Sequence, residues 1–224
     1  MSRKKKILLG IVIAFFGLFV IYTVLGSKGY FKVYAIPTTS SSPTLEPGDY
    51  IIVSNLIPVK NNDHIVFERF DKTFGFGYYV SRLVAKEGDT FSIRNGIAYV
   101  NNVNIDSSIR IKHAYKMHID ILKELHSPEY YTDYYQISKD SIIIHLEDKV
   151  AEAISPKASK QRNINFGKVH ESFPEEWNYY NFGPLIIPEN KLFVLGNNRD
   201  NSQDSRYFGL IEERNYIGKA INVH

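Results

Sequence analysis

An uncharged apolar run near the N-terminus constrains this chain more than any other feature. Arg3 and three lysines precede the run, which continues without a charge over residues 7–25. A helix rises about 1.5 Å per residue, so the run reaches about 28 Å, close to the hydrocarbon thickness of a bilayer. The pattern predicts a transmembrane anchor over 7–25, with residues 1–6 as a basic cytoplasmic tail and the rest of the chain outside the cytoplasm.

The alternative interpretation of this segment is a cleavable secretory signal. A basic region precedes the run, and Val24-Leu25-Gly26 ends in a small residue. The apolar region of such signals is usually about 7–15 residues long. The longer run favours the anchor.

The rest of the chain is predicted to form one domain. After a linker over 26–35, residues 36–224 suffice for one domain with its own core, or for one that carries an inserted subdomain. The net charge is +3 and four basic residues precede the anchor, so the domain is nearly neutral and no nucleic-acid surface is indicated. The chain has no cysteine, which excludes a thiol nucleophile and a cysteine-ligated metal. The histidines show no metal-ligand spacing, so neither a metal nor a cofactor is predicted.

Short segments rich in β-branched and aromatic residues recur through the domain and are separated by turn signals. They lie at residues 49–53, 64–70, 78–85, 90–94, 97–100, 141–146 and 191–196. Asn95-Gly96 is a strong signal for a two-residue hairpin turn. The predicted fold is mainly β, an antiparallel sheet preceded by one transmembrane helix.

The middle of the domain, about residues 103–180, is predicted to be a small inserted α/β lobe. Apolar residues recur at helical spacing over Lys116–Leu125, which predicts a helix, and a second short helix is predicted over Glu147–Ile154. The polar and basic stretch Ser155–Asn165 predicts a loop.

A hydroxyl-rich segment begins about ten residues after the apolar run. It reads Ile36-Pro37-Thr38-Thr39-Ser40-Ser41-Ser42-Pro43-Thr44-Leu45-Glu46-Pro47-Gly48-Asp49. Its prolines do not fit a helix interior, so Ser40 is predicted on a loop or a strand end, where catalytic groups commonly lie. A serine hydroxyl held beside a bilayer is suited to cutting polypeptides that are anchored in that bilayer.

A second polar segment lies near the C-terminus. It reads Gly196-Asn197-Asn198-Arg199-Asp200-Asn201-Ser202-Gln203-Asp204-Ser205-Arg206. Taken alone, it predicts a surface loop in which polar side chains satisfy the backbone of tight turns. Its two arginines and two aspartates are spaced closely enough to form charge-assisted pairs, and such pairs would give an active site a rigid support.

Together these segments resemble type I signal peptidases, in the right order and over nearly the full extracytoplasmic domain. Aligned on Pro43-Thr44-Leu45, the family's nucleophile falls on Ser40, while Thr39 stands where glycine is usual and Ser41 where methionine is usual. In the C-terminal box, Asn197 replaces an aspartate. The residues that match the box are Asn198, Arg199, Asn201, Ser202, Asp204, Ser205 and Arg206. Of these, the resemblance implies that Asn198, Arg199, Ser202, Asp204 and Arg206 support the site.

The general base of the family is a lysine directly before the arginine of one strand, and that position is Ser81, before Arg82. The resemblance implies acyl transfer by a Ser/Lys dyad, with the oxyanion bound by the Ser40 backbone N–H and the Thr38 hydroxyl. A serine hydroxyl cannot act as a base near neutral pH, so Ser81 does not replace the lysine. None of the seven histidines is well placed by sequence to do so.

The resemblance implies a membrane-anchored serine endopeptidase that cleaves signal peptides from exported proteins after small residues, with its N-terminus in the cytoplasm and its domain outside the cell membrane. Signal peptides and the bilayer are the expected partners, and a second peptidase or secretion component is retained as an alternative partner. Two alternatives remain: a catalytically impaired paralogue that binds signal peptides or a partner peptidase without cleaving, and a membrane-anchored β-rich scaffold. The combination of Thr38, Ser40 and Ser202 weighs against the scaffold.

An aromatic group beside Ser81 is a candidate contact with the membrane. It consists of Phe74, Phe76, Tyr78 and Tyr79. Packing in the core is the alternative expectation for at least half of these side chains.

Overall fold

The N-terminal helix of the protein stands apart from the rest of the chain. The computed structural model describes residues 2–27, 30–73, 75–123, 125, 133–154, 159–160 and 168–221. Helix α1 (Arg3–Ser27) has 25 residues, and none of its apolar window is buried against the rest of the chain. It is long and apolar enough to cross a bilayer.

The described part of the domain consists mainly of strands in three sheets. The strands are β1 (Lys32–Ala35), β2 (Tyr50–Ser54), β3 (His64–Asp71), β4 (Gly75–Lys86), β5 (Thr90–Arg94), β6 (Ile97–Val100), β7 (Val103–Asn104), β8 (Lys112–His118), β9 (Tyr134–Ser138), β10 (Ser141–Glu147), β11 (Ser159–Lys160), β12 (Phe182–Ile186), β13 (Lys191–Leu195), β14 (Ile211–Glu212) and β15 (Tyr216–Ala220). The three sheets have the strand orders β1-β2-β15-β3-β4-β13-β14, β12-β5-β6-β7 and β11-β8-β10-β9. The short helices are α2 (Asp148–Ile154) and α3 (Ser205–Phe208), and 3-10 turns cover Thr39–Ser41, Asp106–Ser108, Ile119–Lys123 and Glu213–Asn215.

The predicted mainly β, antiparallel fold is confirmed, and each of the seven predicted strand segments forms a strand with ends shifted by a few residues. The hairpin at Asn95-Gly96 joins β5 to β6. Both turn residues have positive φ, 51° and 79°, as a two-residue type I′ turn requires.

The predicted helix over Lys116–Leu125 is wrong. Its first residues belong to β8, whose seven residues all pair with β10, and only Ile119–Lys123 forms a 3-10 turn. Met117, Ile121 and Leu125 still enter one apolar cluster. The periodicity therefore located buried positions correctly, while pairing with β10 overrode the helical conformation. The second predicted helix forms as α2.

The third sheet and α2 make up the described part of the lobe, with an apolar cluster of their own. The sheet spans Lys112–Lys160, within the predicted 103–180, whereas β7 pairs with β6 outside the lobe. The loop prediction over Ser155–Asn165 is wrong at Ser159–Lys160, because β11 pairs there with β8. The other residues of that stretch lie outside the described part of the chain.

The two faces of the seven-stranded sheet bury different clusters. Ile36, Leu45 and Val66 share one cluster, whereas Ile65, Phe67 and Leu83 share another with β13. Successive residues of a strand point to opposite faces, so the adjacent residues Ile65 and Val66 enter different clusters. Burial of Ile36 and Leu45 fixes both ends of the hydroxyl-rich segment on the sheet.

Candidate active site

The 3-10 turn at Thr39–Ser41 presents one of three consecutive serines. Ser41 and Ser42 are buried, 2% and 0% exposed, whereas Ser40 is half-buried. The Ser40 Oγ lies 3.0 Å from the Thr38 Oγ1. Ser40 is therefore the serine whose hydroxyl is placed to meet a substrate, with a second hydroxyl beside it.

Ser40 and Ser81 line the same cavity, which has a volume of about 450 Å³. Its walls are Tyr34–Ser41, Tyr78–Ser81, Asn201 and Gln203. Among these described lining residues only the tyrosines are titratable. The pKa of Tyr34 is raised, mainly by burial, so its hydroxyl stays protonated near neutral pH. The walls contain no lysine, histidine or carboxylate that could take a proton from Ser40 near neutral pH.

The cavity lies beside the part of β4 that β13 does not pair with in the described chain. In the described chain β13 pairs with Arg82–Lys86 of β4 and ends at Leu195, opposite Arg82. The next residue, Gly196, lies outside the strand. Residues of β4 before Arg82 leave an edge beside the cavity, where an extended peptide can pair with the backbone.

The absence of a side chain at Gly196 lets the Ser202 side chain and the Ser40 backbone approach closely. A Cβ on Gly196 would lie 2.0 Å from the Ser202 Oγ and 2.8 Å from the Ser40 carbonyl oxygen. The Ser202 Oγ is buried and has no hydrogen-bond partner among the described residues.

The described histidines do not lie where they could take a proton from Ser40. His64 pairs with Arg82, and Ser81 pairs with Ile65, so His64 points to the opposite face from Ser81. Burial and the charge of Arg82 lower the pKa of His64 to about 3, against a hydrogen bond with Asn197 that raises it. The described lobe histidines do not line the cavity, and His126 and His224 lie outside the described residues.

The low pKa of His64 predicts how stability depends on pH. The folded state keeps His64 neutral down to about pH 3, whereas the unfolded chain protonates it below about 6.5. This contribution to stability is complete above pH 6.5 and decreases as the pH falls toward 3. Between pH 7 and pH 5, the free energy of unfolding should fall by about 2 kcal/mol more in the parent than in H64Q, measured by urea denaturation. Equal losses would contradict the buried neutral state.

One of the charge-assisted pairs predicted within the C-terminal segment is present, between Asp204 and Arg206. The Arg206 Nε and Nη2 donate to the two oxygens of Asp204, each at 2.9 Å, and both side chains are buried. The Arg206 Nη2 also donates to the Arg199 carbonyl at 2.6 Å. Asp204 begins helix α3 and accepts from the Arg206 backbone N–H and from the Gly196 N–H at 3.1 Å. The pair thus fixes the backbone around Gly196.

Arg199 has a partner that the sequence did not indicate. Its Nη1 and Nη2 donate to the two oxygens of Asp106 at 2.7 and 2.5 Å, and its Nε donates to the Gly196 carbonyl at 3.1 Å. Both partners are buried. This bidentate pair ties the C-terminal segment to the 3-10 turn after β7.

Asn197, at the position where the resemblance leads one to expect aspartate, links three segments of the site. Its Oδ1 accepts from the Arg82 Nε at 2.9 Å, and its Nδ2 donates to the Thr44 Oγ1 at 2.7 Å and to the Arg110 carbonyl at 2.8 Å. Burial, followed by the charge of Arg199, lowers the pKa of Arg82 to about 10, although Asp63 and Asp106 oppose this. An amide thus satisfies the buried guanidinium where a carboxylate was expected.

Comparison with known proteins assigns the family. The family described as "Signal peptidase, peptidase S26" matches residues 8–224. The chain belongs to this signal peptidase family. Members of the signal peptidase family similar to this chain are Signal peptidase I of Buchnera aphidicola subsp. Baizongia pistaciae, 30% identical over 85% of this chain and 68% of that protein, and Signal peptidase I of Aquifex aeolicus, 29% identical over 86% and 75%. Signal peptidase IB of Staphylococcus aureus is 28% identical over 96% and 88%.

A solved signal peptidase I from Enterococcus faecalis V583 aligns with 74% of this chain and 98% of its own, at 20% identity and a TM-score of 0.36. Membership of the signal peptidase family follows from the sequence matches. The family acts on signal peptides of exported preproteins and consists of serine endopeptidases. The resemblance drawn from the serine segment and the C-terminal box is thereby confirmed.

Proposed function

We propose that this chain is a membrane-anchored endopeptidase of the signal peptidase I type, with Ser40 as its nucleophile and with no base of its own at position 81. The observation that supports the proposal is the shared cavity of Thr38, Ser40 and Ser81 beside an edge of β4. Cleavage after small residues at the end of the signal peptide would release the mature protein from the preprotein.

The proposed substrate binds extended along the edge of β4. Backbone groups of Tyr78–Ser81 would supply strand-like hydrogen bonds, and side chains of the cavity would select small residues at alternate positions. The walls contributed by Tyr34 and Tyr78 are in edge-to-face contact, with ring centroids 5.3 Å apart. Both rings belong to residues that line the cavity beside Ser40.

The proposed reaction is acyl transfer in two steps. The Ser40 Oγ adds to the peptide carbonyl, and its proton must pass to a base. The oxyanion is held by the Ser40 backbone N–H and the Thr38 hydroxyl, and expulsion of the amine leaves an ester that water hydrolyses. Because the described cavity walls contain no suitable base, we propose that a second chain or the bound substrate supplies it.

The family matches do not favour the alternative function, binding of signal peptides without turnover, but an experiment can distinguish it from cleavage. Peptide pairing along β4 and the proposed oxyanion hole do not depend on a base at position 81. Binding and cleavage are therefore separable in this protein, and one experiment can measure both.

Helix α1 is proposed to hold the domain at the cell membrane, with the basic residues before it in the cytoplasm. Phe76 and Tyr78 are exposed, at 75% and 56%, and are proposed to face the bilayer. Tyr79 instead stacks on the buried Phe67, with centroids 5.9 Å apart, so core packing explains it. Phe74 lies outside the described residues.

The test uses the full chain in lipid vesicles and a preprotein with an Ala-X-Ala site. Cleavage after the second alanine, lost in S40A and retained in S41A, would support the proposed peptidase. The S41A variant is the matched control because Ser41 is the buried neighbour of Ser40. Binding of a fluorescent signal peptide by both parent and S40A, without any product, would instead support the second candidate. If the parent neither bound the signal peptide nor cleaved the preprotein, both candidate functions would be contradicted.

A further inference from the structure

A buried carboxylate from the lobe lies behind the turn that carries Ser40. The Asp133 side chain is 2% exposed, and it directly precedes β9. One of its oxygens lies 2.9 Å from the Asn198 Nδ2 and 3.5 Å from the Lys112 Nζ. The other lies 3.2 Å from the Asn201 Nδ2 and 3.0 Å from the His145 Nδ1. Four donors from three separate segments thus converge on one carboxylate.

Two of these donors also hold the nucleophile turn. The Asn198 Nδ2 donates to the Thr39 carbonyl at 3.3 Å, and the Asn201 Nδ2 donates to the Thr39 Oγ1 at 3.1 Å. The Asn198 backbone N–H donates to the Ser40 carbonyl at 3.1 Å. Each amide nitrogen has two hydrogens, so each gives one to Asp133 and the other to Thr39.

The carboxylate decides which way the two amides face. A side-chain amide has a donor end and an acceptor end, and only the donor end can face an ionised carboxylate. Burial raises the pKa of Asp133, but the hydrogen bond and charge of His145 and the charge of Lys112 outweigh burial and lower the pKa overall. Asp133 therefore accepts from both amides and sets their orientation toward Thr39.

The lobe is fastened to the same segment through its backbone. The Lys112 N–H donates to the Asn197 carbonyl at 2.9 Å, and the Arg199 N–H donates to the Lys112 carbonyl at 3.0 Å. Lys112 is the first residue of β8 and is 1% exposed. Its Nζ also lies 3.8 Å from the Glu46 Oε1, so the lysine joins Asp133 to the far end of the hydroxyl-rich segment.

From these contacts we infer that Asp133 is a positioning residue for Ser40: the lobe holds the nucleophile turn through Asn198 and Asn201. The inference rests on the proposed role of Ser40 and assigns the lobe a part in the site. In D133N one acceptor oxygen becomes a donor, so at least one of the four donors faces another donor. The turn at Thr39–Ser41 should then sample more than one arrangement.

A single thiol reports on this turn without any need for turnover. The chain contains no cysteine, so S40C introduces a unique site for a trifluoroethyl label. In the full chain in detergent, we expect one narrow ¹⁹F resonance for S40C. The resonance should shift, broaden or split in S40C/D133N, and shift less in S40C/N201A, which removes one amide and leaves the carboxylate.

The matched control is D148N. Asp148 is another lobe carboxylate and accepts from the Tyr115 hydroxyl and lies against the His113 Nδ1, both at 2.7 Å, but these contacts do not lead to the Ser40 turn. S40C/D148N should keep the parent resonance. An unchanged resonance in both D133N and N201A would overturn the inference, as would an equal change in D148N. Because no cleavage is measured, failure of the proposed peptidase function would not alter this result.

Discussion

Replacing Ser81 with lysine should raise the rate of signal-peptide cleavage by about 10²- to 10⁴-fold, the usual contribution of a general base. The lysine would extend into the cavity that Ser40 lines. Loss of hydration lowers the pKa of a buried lysine, and no carboxylate is among the cavity walls to stabilise its ammonium form. A neutral amine would then be present near pH 7 to take the Ser40 proton.

The control for this gain is S81M, which gives a side chain of similar length without an amine. Initial rates on an Ala-X-Ala preprotein should rise in S81K, stay at the parent level in S81M, and vanish in S40A/S81K. The S81K rate should also increase with pH until the lysine is fully neutral. Equal gains in S81K and S81M would show that filling the cavity, rather than a base, accounts for the effect.

Removal of the Asp106 carboxylate should cause the largest loss of stability. Arg199 is buried and is bound by both carboxylate oxygens of Asp106, so D106A leaves an uncompensated buried guanidinium. Such a change typically costs about 3–5 kcal/mol in the free energy of unfolding. The loss should appear in urea denaturation at pH 7, together with loss of peptide binding, because Arg199 also holds the Gly196 carbonyl.

An exposed pair of the same chemistry provides the control. Arg110 approaches Glu147 in a similar bidentate way, with distances of 3.1 and 2.5 Å, but its side chain is 63% exposed. E147A should therefore cost no more than about 1 kcal/mol. Similar losses of unfolding free energy in D106A and E147A would contradict the claim that burial makes the Asp106–Arg199 pair more important for stability than the exposed pair.

Local sequence patterns predicted those features whose partners lie nearby along the chain. Segments rich in β-branched and aromatic residues located the strands. Asn95-Gly96 located a hairpin turn, because both residues readily adopt the positive φ that this turn requires. The pair of Asp204 and Arg206 was anticipated because the two residues are two positions apart. The motif around Ser40 located the nucleophile candidate, and the neighbouring prolines predicted that it lies outside an α-helix.

Contacts between distant segments could not be read from the same patterns. Asp106 lies 93 positions from Arg199, and no local signal connects them. Asp133 was missed because an isolated aspartate carries no pattern. The burial of Lys112 could not be expected either, because the sequence of β8 contains two lysines and two histidines. The helix predicted over Lys116–Leu125 failed because the pairing of β8 with β10 is not visible in local spacing.

Mass spectrometry of the acyl-enzyme would test the role of Ser40 most directly. S81K would be mixed with a preprotein bearing the Ala-X-Ala site, quenched in acid during turnover and digested. We expect an added signal-peptide acyl group on the fragment that contains Ser40, and no adduct in S40A/S81K. An adduct on another residue, or cleavage by S40A/S81K at the S81K rate, would contradict the assignment of Ser40 as the nucleophile.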